Sequence, residues 1–303
     1  MNKLKYSVRS MRLRTLPLSL SGVILGIALA ASDYHIRILT VVFILITTVS
    51  LQILSNLSNE LGDVQNGTDT SDRQGPEYGL NSGALSIGDM KRLILIFVIV
   101  SAVSGLLMIR FSFGTFFSLE SLCLILLGAA AINAAMRYTL GKNPYGYRGL
   151  GDIYVFTFFG IVAVLGAYFV AAHTLSGWFL LLPASAIGLF SVGVLNVNNI
   201  RDMKTDEATR VTVALKLGIR NARIYQTVLI AAGWICAVVY CLFRYPDPWH
   251  YLFILVLPLF VKHLHGIWTR SGRELDPMLP LLVMSSFLFS LLFGLGFLIY
   301  LFR

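Results

Sequence analysis

A nearly uninterrupted apolar run occupies residues 36–57 and reads I36-R-I-L-T-V-V-F-I-L-I-T-T-V-S-L-Q-I-L-S-N-L57, with Arg37 as its only charged residue. An α-helix needs about 20 predominantly apolar residues to cross a bilayer, so this run predicts a transmembrane helix. Eight further runs of the same character predict further spans, at residues 15–32, 93–110, 118–136, 153–172, 177–197, 223–243, 249–262 and 278–301. We therefore predict an all-α integral membrane protein with a bundle of nine transmembrane helices.

The composition of the whole chain supports the same class. Of its 303 residues, 56% are apolar and 13% are charged, whereas soluble domains carry about 25% charged residues. The mean hydropathy of +0.76 excludes most cytosolic enzyme folds. The run at 249–262 is short and contains Pro258, so its ends are the least well defined. We predict one membrane-embedded domain over residues 1–303.

The positive charges predict how the bundle is oriented. The net charge is +9, and 20 of the 24 Lys and Arg residues fall on connections of one side, leaving Arg37, Arg110, Arg244 and Arg303 on the other. Cytoplasmic loops carry the Lys/Arg excess, so we predict a cytoplasmic N-terminus and an external C-terminus. The first apolar run also has the order of a signal peptide, but the many later spans favour a membrane helix.

The second apolar run continues into a helix that is polar on one face. In Q52-I-L-S-N-L-S-N-E-L-G-D63, the residues Gln52, Asn56, Asn59 and Asp63 recur at intervals of four, three and four, which is one helical face. Turn signals at Asn66-Gly67 and Gly75-Pro76 then place Asp69 and Asp72 on a loop.

A second polar face follows the sixth apolar run. In L195-N-V-N-N-I-R-D-M-K-T-D206, the residues Asn198, Asp202 and Asp206 are spaced i, i+4 and i+8 and therefore share one helical face. The second and sixth spans cross the membrane in the same sense. We therefore expect both polar faces to end at the same, cytoplasmic, side of the bilayer.

Carboxylates in these positions predict a binding site for cations. A carboxylate at the centre of a spanning helix costs about 2.5 to 3.5 kcal/mol, so such residues usually mark a site. Asp and Asn oxygens without Cys or His favour Mg²⁺ or Ca²⁺. Two such clusters near basic residues predict a metal-bridged diphosphate, and at a membrane boundary a polyprenyl diphosphate. The basic candidates are Arg137, Lys142, Arg201 and Arg210.

Three stretches resemble the UbiA-type superfamily of intramembrane aromatic prenyltransferases, and especially its 1,4-dihydroxy-2-naphthoate polyprenyltransferase branch. They are N56-L-S-N-E-L-G-D-V-Q-N-G-T-D69, Y138-T-L-G-K-N-P-Y-G-Y-R-G-L-G-D152 and L195-N-V-N-N-I-R-D-M-K-T-D206. R14-T-L-P17 is also similar to that branch. The superfamily carries its Asp-rich motifs on the second and sixth of nine helices, as here.

The chain departs from the superfamily pattern at two positions of the first motif. Glu60 replaces the first Asp of N-D-x-x-D-x-x-x-D, and Gly67 stands at the last. In the naphthoate branch the last acid comes two residues later, which is where Asp69 lies. Glu60 keeps the charge with a different reach, so we do not count it among the ligands.

The resemblance implies a Mg²⁺-dependent enzyme of menaquinone biosynthesis. It implies transfer of a polyprenyl group to 1,4-dihydroxy-2-naphthoate, with loss of CO₂ and diphosphate, giving demethylmenaquinol. The implied metal ligands form two groups: Asn59, Asp63 and Asp69, then Asn198, Asp202 and Asp206. Lys142 and Arg210 would stabilise the departing diphosphate, while Tyr138 and Tyr145 would orient the acceptor ring or stabilise an allylic cation. Further substrate-binding candidates are Asn56, Asp72, Arg137 and Arg201.

Other interpretations remain open at this stage. The two tyrosines also suit a membrane interface, and Asp72 suits a helix cap or a solvated loop. A related enzyme with another acceptor, such as 4-hydroxybenzoate, has similar motifs. Intramembrane acids also occur in cation-coupled transporters. We expect the bacterial plasma (inner) membrane as the location and membrane lipid as the surroundings, with neither nucleic acid nor an obligatory protein partner.

Overall fold

The computed structural model describes residues 3–67, 78–142, 144–207, 210–244 and 247–300. Regular secondary structure in these ranges is helical, apart from an isolated bridge between Arg148 and Val211. The helices are α1 Lys3–Ser10, α2 Leu16–Asp33, α3 Ile38–Gln65, α4 Ile87–Phe113, α5 Leu119–Arg137, α6 Gly151–Ala172, α7 Trp178–Arg201, α8 Val213–Phe243, α9 Pro248–Thr269 and α10 Met278–Tyr300.

Within these ranges, nine helical segments are long and apolar enough to cross a membrane, and they contain α2 to α10. The prediction of an all-α membrane bundle is confirmed. Several helices extend beyond the apolar runs that predicted them: α3 continues to Gln65, α4 begins at Ile87, and α8 begins at Val213 with a kink at Gly218. Apolar composition reveals only the part of a helix in hydrocarbon, whereas backbone hydrogen bonding continues into the interfacial region.

The eighth span, α9, accommodates its proline without a break in hydrogen bonding. It begins with 3₁₀ turns over Pro248–Val256 and becomes α-helical over Leu257–Thr269. Pro258 lies in the first turn of the α-helical part, where its missing N–H removes no helical hydrogen bond. The short apolar run therefore belongs to a segment of 22 residues, which is long enough to span.

Helix α2 lies in the larger core of the bundle, packed against α6 and α10. A Cβ atom on Gly26 would overlap the carbonyl oxygen of Val164, and one on Gly22 would overlap Ala163. Small residues let helix backbones approach closely in a bilayer, where apolar lipid weakens the hydrophobic drive for association. This close contact fixes how α2 and α6 pack against each other.

Helix α6 changes its winding halfway along. A π-helical segment, Phe156–Val162, separates two α-helical parts, and Gly160 within it packs directly against Gly188 of α7. π-Helical segments are rare in proteins, and those that occur are often found at functional sites. Phe158, Phe159 and Val162 of this segment line the cavity described below.

A second, smaller core packs the polar end of α3 against the start of α4. Its buried members are Ile53, Leu54, Leu57, Leu61, Leu85, Met90 and Ile94. The apolar face at this end of α3 packs in this core. The opposite, polar face is therefore directed towards the interior of the bundle.

Candidate functional site

A long cavity of about 1300 Å³ lies between α2, α3, α5, α6, α7 and α10. Along α3 its lining runs from Ile44 to Asp63, which is about 28 Å of helix at 1.5 Å per residue. Near Asp63 the walls carry Asn59, Asn198 and Arg210, whereas towards Ile44 they are mainly aliphatic and aromatic. The cavity is therefore polar at one end and apolar along most of its length.

The first polar face lies on one continuous helix, as predicted. Asn59 and Asp63 both line the cavity, and Asp63 is only 4% exposed. The Asp63 carboxylate accepts a hydrogen bond from the Tyr147 hydroxyl at 2.6 Å, and the Asn59 side-chain oxygen accepts one from Thr139 at 3.2 Å. Gly67 ends the helix with φ 67. The predicted ligands Asp69 and Asp72 lie outside the described residues.

The second polar face is not one continuous helix, which corrects the sequence prediction. Helix α7 ends at Arg201, Asp202 has φ −94 and ψ 8, and a short helix Met203–Asp206 follows. The spacing nevertheless persists, because Asp202 N–H donates to the Asn198 carbonyl and Asp206 N–H donates to that of Asp202. Asn198 lines the cavity, while Asp202 and Asp206 are buried at its end.

Arg201 links several acidic groups at the end of α7. Its Nε and Nη2 atoms donate to the two oxygens of Asp202 at 2.7 and 2.6 Å, and Nη2 also donates to Asn198 at 2.8 Å. Its Nη1 atom donates to Asp276, just before α10, at 3.0 Å. Arg210 pairs with Asp206 at 2.7 Å. Both buried carboxylates of this motif are therefore neutralised by arginines.

The donor chemistry of this end of the cavity fits Mg²⁺. The predicted ligands that the structure describes are carboxylate and amide oxygens, the donors that hard cations prefer. In the described ranges, no group of three or more His, Cys, Asp and Glu residues is close enough to hold a metal. Asp69 lies outside these ranges, and each motif also includes an amide, Asn59 or Asn198. The ligand assignment stays a prediction.

The predicted basic residues divide into two pairs. Arg210 and Arg201 line the polar end of the cavity, and the Arg210 guanidinium lies 5.9 Å from the Tyr147 ring centre. Lys142 and Arg137 are exposed and are not part of the lining. Only the first pair is therefore within the cavity that holds the acidic motifs.

Tyr138 and Tyr145 both line the cavity. Their rings meet edge to face at 5.3 Å, and the Tyr145 ring stacks on Tyr154 at 3.8 Å. The Tyr145 hydroxyl donates to the Ala134 carbonyl at 2.5 Å. Burial raises the pKa of Tyr138 to about 12, so its phenol stays neutral at physiological pH. The pair offers aromatic faces and no negative charge.

Two polar residues of α3 have structural partners elsewhere. The Asn56 amide donates to the Met11 carbonyl and to Thr15, both at 2.9 Å, and Asn56 does not line the cavity. Its predicted substrate contact is therefore replaced by a link to the N-terminal segment. Glu60 is fully buried and accepts a hydrogen bond from Leu80 N–H at 2.8 Å, which agrees with leaving it out of the ligands.

Several cavity residues were not predicted from the sequence. Asp152 of α6 accepts a hydrogen bond from Tyr225 at 2.9 Å, and Arg273 and Asp276 precede α10. Asp152 ends one of the quoted motifs, so a signal for it was present. Asp276 stands directly before the last apolar run, and the sequence does not indicate that it contacts Arg201.

The sequence comparisons agree with the earlier resemblance. The model of the UbiA prenyltransferase family matches residues 19–291. The chain is 40% identical to 1,4-dihydroxy-2-naphthoate octaprenyltransferase of Escherichia coli (strain K12), over 95% of this chain and 94% of that protein. It is 38% identical to the Haemophilus influenzae protein of the same name, over 98% and 97%.

Solved structures with the same fold are more distant in sequence. A UbiA homologue from Aeropyrum pernix K1 superposes with a TM-score of 0.71 at 15% identity, covering 94% of this chain and 98% of that one. A UbiA homologue from Archaeoglobus fulgidus, described as bound to DMAPP and Mg²⁺, gives a TM-score of 0.69 at 13% identity, covering 97% and 98%. These likenesses establish the fold.

Proposed function

The chain belongs to the UbiA prenyltransferase family, and from this premise we propose that it transfers a polyprenyl group from polyprenyl diphosphate to 1,4-dihydroxy-2-naphthoate. The observation that carries the proposal is the long cavity, which is polar at Asp63 and Asn198 and apolar towards Ile44. A polyprenyl diphosphate likewise has a polar diphosphate group at one end and a long apolar tail. The naphthoate acceptor is supported by two near full-length relatives that are named for it.

Mg²⁺ is the cofactor we propose at the polar end. The residues that would hold it are oxygen donors from the two motifs: Asn59, Asp63 and Asp69, with Asn198, Asp202 and Asp206. When bound, it would supply positive charge against the diphosphate. Arg210 adds a cation in the same part of the cavity. Arg201 would hold the Asp202 carboxylate in position, because its guanidinium donates to both carboxylate oxygens.

The reaction is an electrophilic substitution on the acceptor ring. The bond between the first prenyl carbon and the diphosphate oxygen breaks, and its electron pair leaves with the diphosphate. The ring carbon that carries the carboxylate forms a bond to the resulting allylic cation. The bond to the carboxylate carbon then breaks, CO₂ departs, and the electron pair restores the aromatic ring to give demethylmenaquinol. The neutral rings of Tyr138 and Tyr145 would stabilise the cation through their π faces.

Mass spectrometry of the product tests this function. Purified protein with Mg²⁺ and a polyprenyl diphosphate is offered either 1,4-dihydroxy-2-naphthoate or 4-hydroxybenzoate. We expect product only with the naphthoate, and we expect that product to have gained one prenyl group and lost CO₂. A hydroxybenzoate enzyme would instead attach the prenyl group beside the hydroxyl and keep the carboxylate.

The possible outcomes separate the alternatives. A prenylated naphthoate that retains its carboxylate would exclude the mechanism above. Product with 4-hydroxybenzoate alone would move the chain to another branch of the family. The absence of product with either acceptor would instead favour a cation-coupled transporter. Against that alternative, both acidic motifs lie at one end of the cavity rather than near mid-membrane.

We also propose that this single domain, residues 1–303, lies in a bacterial inner membrane with the polar end of the cavity at the cytoplasmic face. The charge distribution supports this orientation, since 20 of the 24 Lys and Arg residues fall on that side. The N-terminus would then be cytoplasmic and the C-terminus external.

Single cysteines test the orientation. In a background without Cys123, Cys236 and Cys241, we expect Thr174→Cys to react with an impermeant maleimide on intact spheroplasts. Gln65→Cys should react only after the membrane is opened, because it lies at the other end of the bundle; both positions are exposed. Labelling of Gln65→Cys in intact spheroplasts would show that the orientation is reversed.

A further inference from the structure

Arg12 has an unusual backbone conformation and lies in the wall of the cavity. It lies between α1 and the 3₁₀ turn Leu13–Thr15, and its backbone has φ 49 and ψ 52. This is the left-handed region, which residues other than glycine rarely adopt. Such conformations cluster at ligand-binding and active sites. Arg12 also lines the cavity.

The guanidinium of Arg12 is held in place, and no acidic residue in the described ranges forms an ion pair with it. It lies over the Tyr78 ring, 4.2 Å from the ring centre, while Arg14 donates to the Tyr78 hydroxyl at 2.9 Å. The Nε and Nη2 atoms of Arg12 are buried, and neither has a hydrogen-bond partner within the described part of the chain. Buried charged donors without partners are costly. They are therefore suited to an anion that enters the cavity.

The segment that carries Arg12 contacts α3 at some distance from the acidic motifs. Asn56 bonds to the Met11 carbonyl and to Thr15, so the segment around Arg12 is tied to α3 at Asn56. Asn56 precedes Asp63 by seven residues, or about 10 Å along the helix. Under the proposed function the donor diphosphate lies at Asp63 and Asp202, which leaves Arg12 for a different anionic group of the reactants.

We propose that Arg12 binds the carboxylate of the aromatic acceptor. This proposal rests on the proposed function, in which the diphosphate and the acceptor carboxylate are the anionic groups of the two substrates. A guanidinium pairs with a carboxylate through two parallel hydrogen bonds. The ring carbon that reacts is the one that bears the carboxylate, so holding this group also positions the reacting carbon. Tyr78 fixes the guanidinium, and Arg12 selects carboxylated acceptors.

Direct binding measurements test the proposal without turnover. Purified wild-type protein, Arg12→Gln and Arg12→Gly are titrated with 1-hydroxy-2-naphthoate, which keeps the carboxylate, and with 1-naphthol, which lacks it. We expect the Kd for the carboxylate to rise about 10- to 100-fold in both variants, because charge-assisted hydrogen bonds are lost. The Kd for 1-naphthol should stay unchanged, and this also reports that the cavity is intact.

Two features keep the test decisive. Arg12→Gly suits the left-handed backbone, so it guards against misfolding. Arg9→Gln is the matched control, since Arg9 is an exposed arginine that also lies over a tyrosine, Tyr6, but does not line the cavity. We expect it to bind both probes like the wild type. Equal binding of 1-hydroxy-2-naphthoate by Arg12→Gln and the wild type would overturn the proposal.

Kinetics distinguish this proposal from the proposed function. In the wild type, absence of prenylated naphthoate would refute the function, whatever the binding data show. If the wild type is active, we expect Arg12→Gln to raise the KM for 1,4-dihydroxy-2-naphthoate and to leave that for polyprenyl diphosphate unchanged. A raised KM for the diphosphate alone would assign Arg12 to the donor and would overturn the acceptor role.

Discussion

We expect Asp63→Asn and Asp202→Asn each to lower the rate of prenyl transfer by at least about a hundredfold. Each change removes one negative charge from the polar end of the cavity and keeps the size of the side chain. Asp63 is buried and bonded to Tyr147, and Asp202 is buried and bonded to Arg201. Fewer anionic oxygens would remain to hold Mg²⁺ against the diphosphate. Turnover of the purified variants is measured with saturating substrates.

Asp247→Asn is the matched control for these substitutions. Asp247 caps the start of α9 by accepting a hydrogen bond from Trp249 N–H at 2.9 Å, and asparagine caps equally well. It lies away from the cavity lining, so its rate should equal that of the wild type. Near-normal rates for Asp63→Asn or Asp202→Asn would mean that the carboxylate has only a structural role, through its bond to Tyr147 or to Arg201.

Removal of divalent cations should abolish turnover entirely, and added Mg²⁺ should restore it. The predicted ligands are oxygen atoms only, and such a site has little affinity for the diphosphate without the cation. A polyprenyl thiodiphosphate that does not react provides a second measurement. We expect it to raise the Tm of the protein with Mg²⁺ and to leave the Tm unchanged in EDTA, because only a bound ligand stabilises the folded state.

The aromatic probe serves as the control for metal removal. Binding of 1-naphthol should be the same in EDTA and in Mg²⁺, since this uncharged probe has no anionic oxygen to bind the cation. If turnover continued in excess EDTA, the metal assignment would be wrong. The two acidic motifs would then require another source of positive charge, for which Arg201 and Arg210 are already in place.

The helices and the first polar face could be predicted because both depend on local periodicity. The intervals between Gln52, Asn56, Asn59 and Asp63 define a face of any α-helix, and α3 is continuous through all four. Apolar runs located the spans for the same reason. The break at Asp202 was missed because spacing alone does not reveal where helical backbone angles end.

Contacts between distant segments could not be predicted in this way. Spacing assigned Asn56 to the polar face but did not show that its amide binds Met11 and Thr15. The charge of Lys142 makes it a candidate from the sequence, whereas its exposure follows from the path of the loop after α5. The bond from Arg201 to Asp276 joins segments that are 75 residues apart. The substrate roles of Lys142 and Arg137 stay predictions.

The π-helical segment Phe156–Val162 keeps one side of α6 on the cavity along the length of the helix. Each residue of an α-helix advances by about 100° around the axis, so one added residue rotates everything after it by roughly that angle. Before the segment, Asp152 and Tyr154 line the cavity, and after it Ala163 and Ala167 line the same cavity and contact the glycines of α2. Deleting a single residue here would restore the ordinary winding and rotate the lining residues on one side of the segment away from the cavity. The length of this segment is therefore as much a determinant of the site as the identity of any side chain in it.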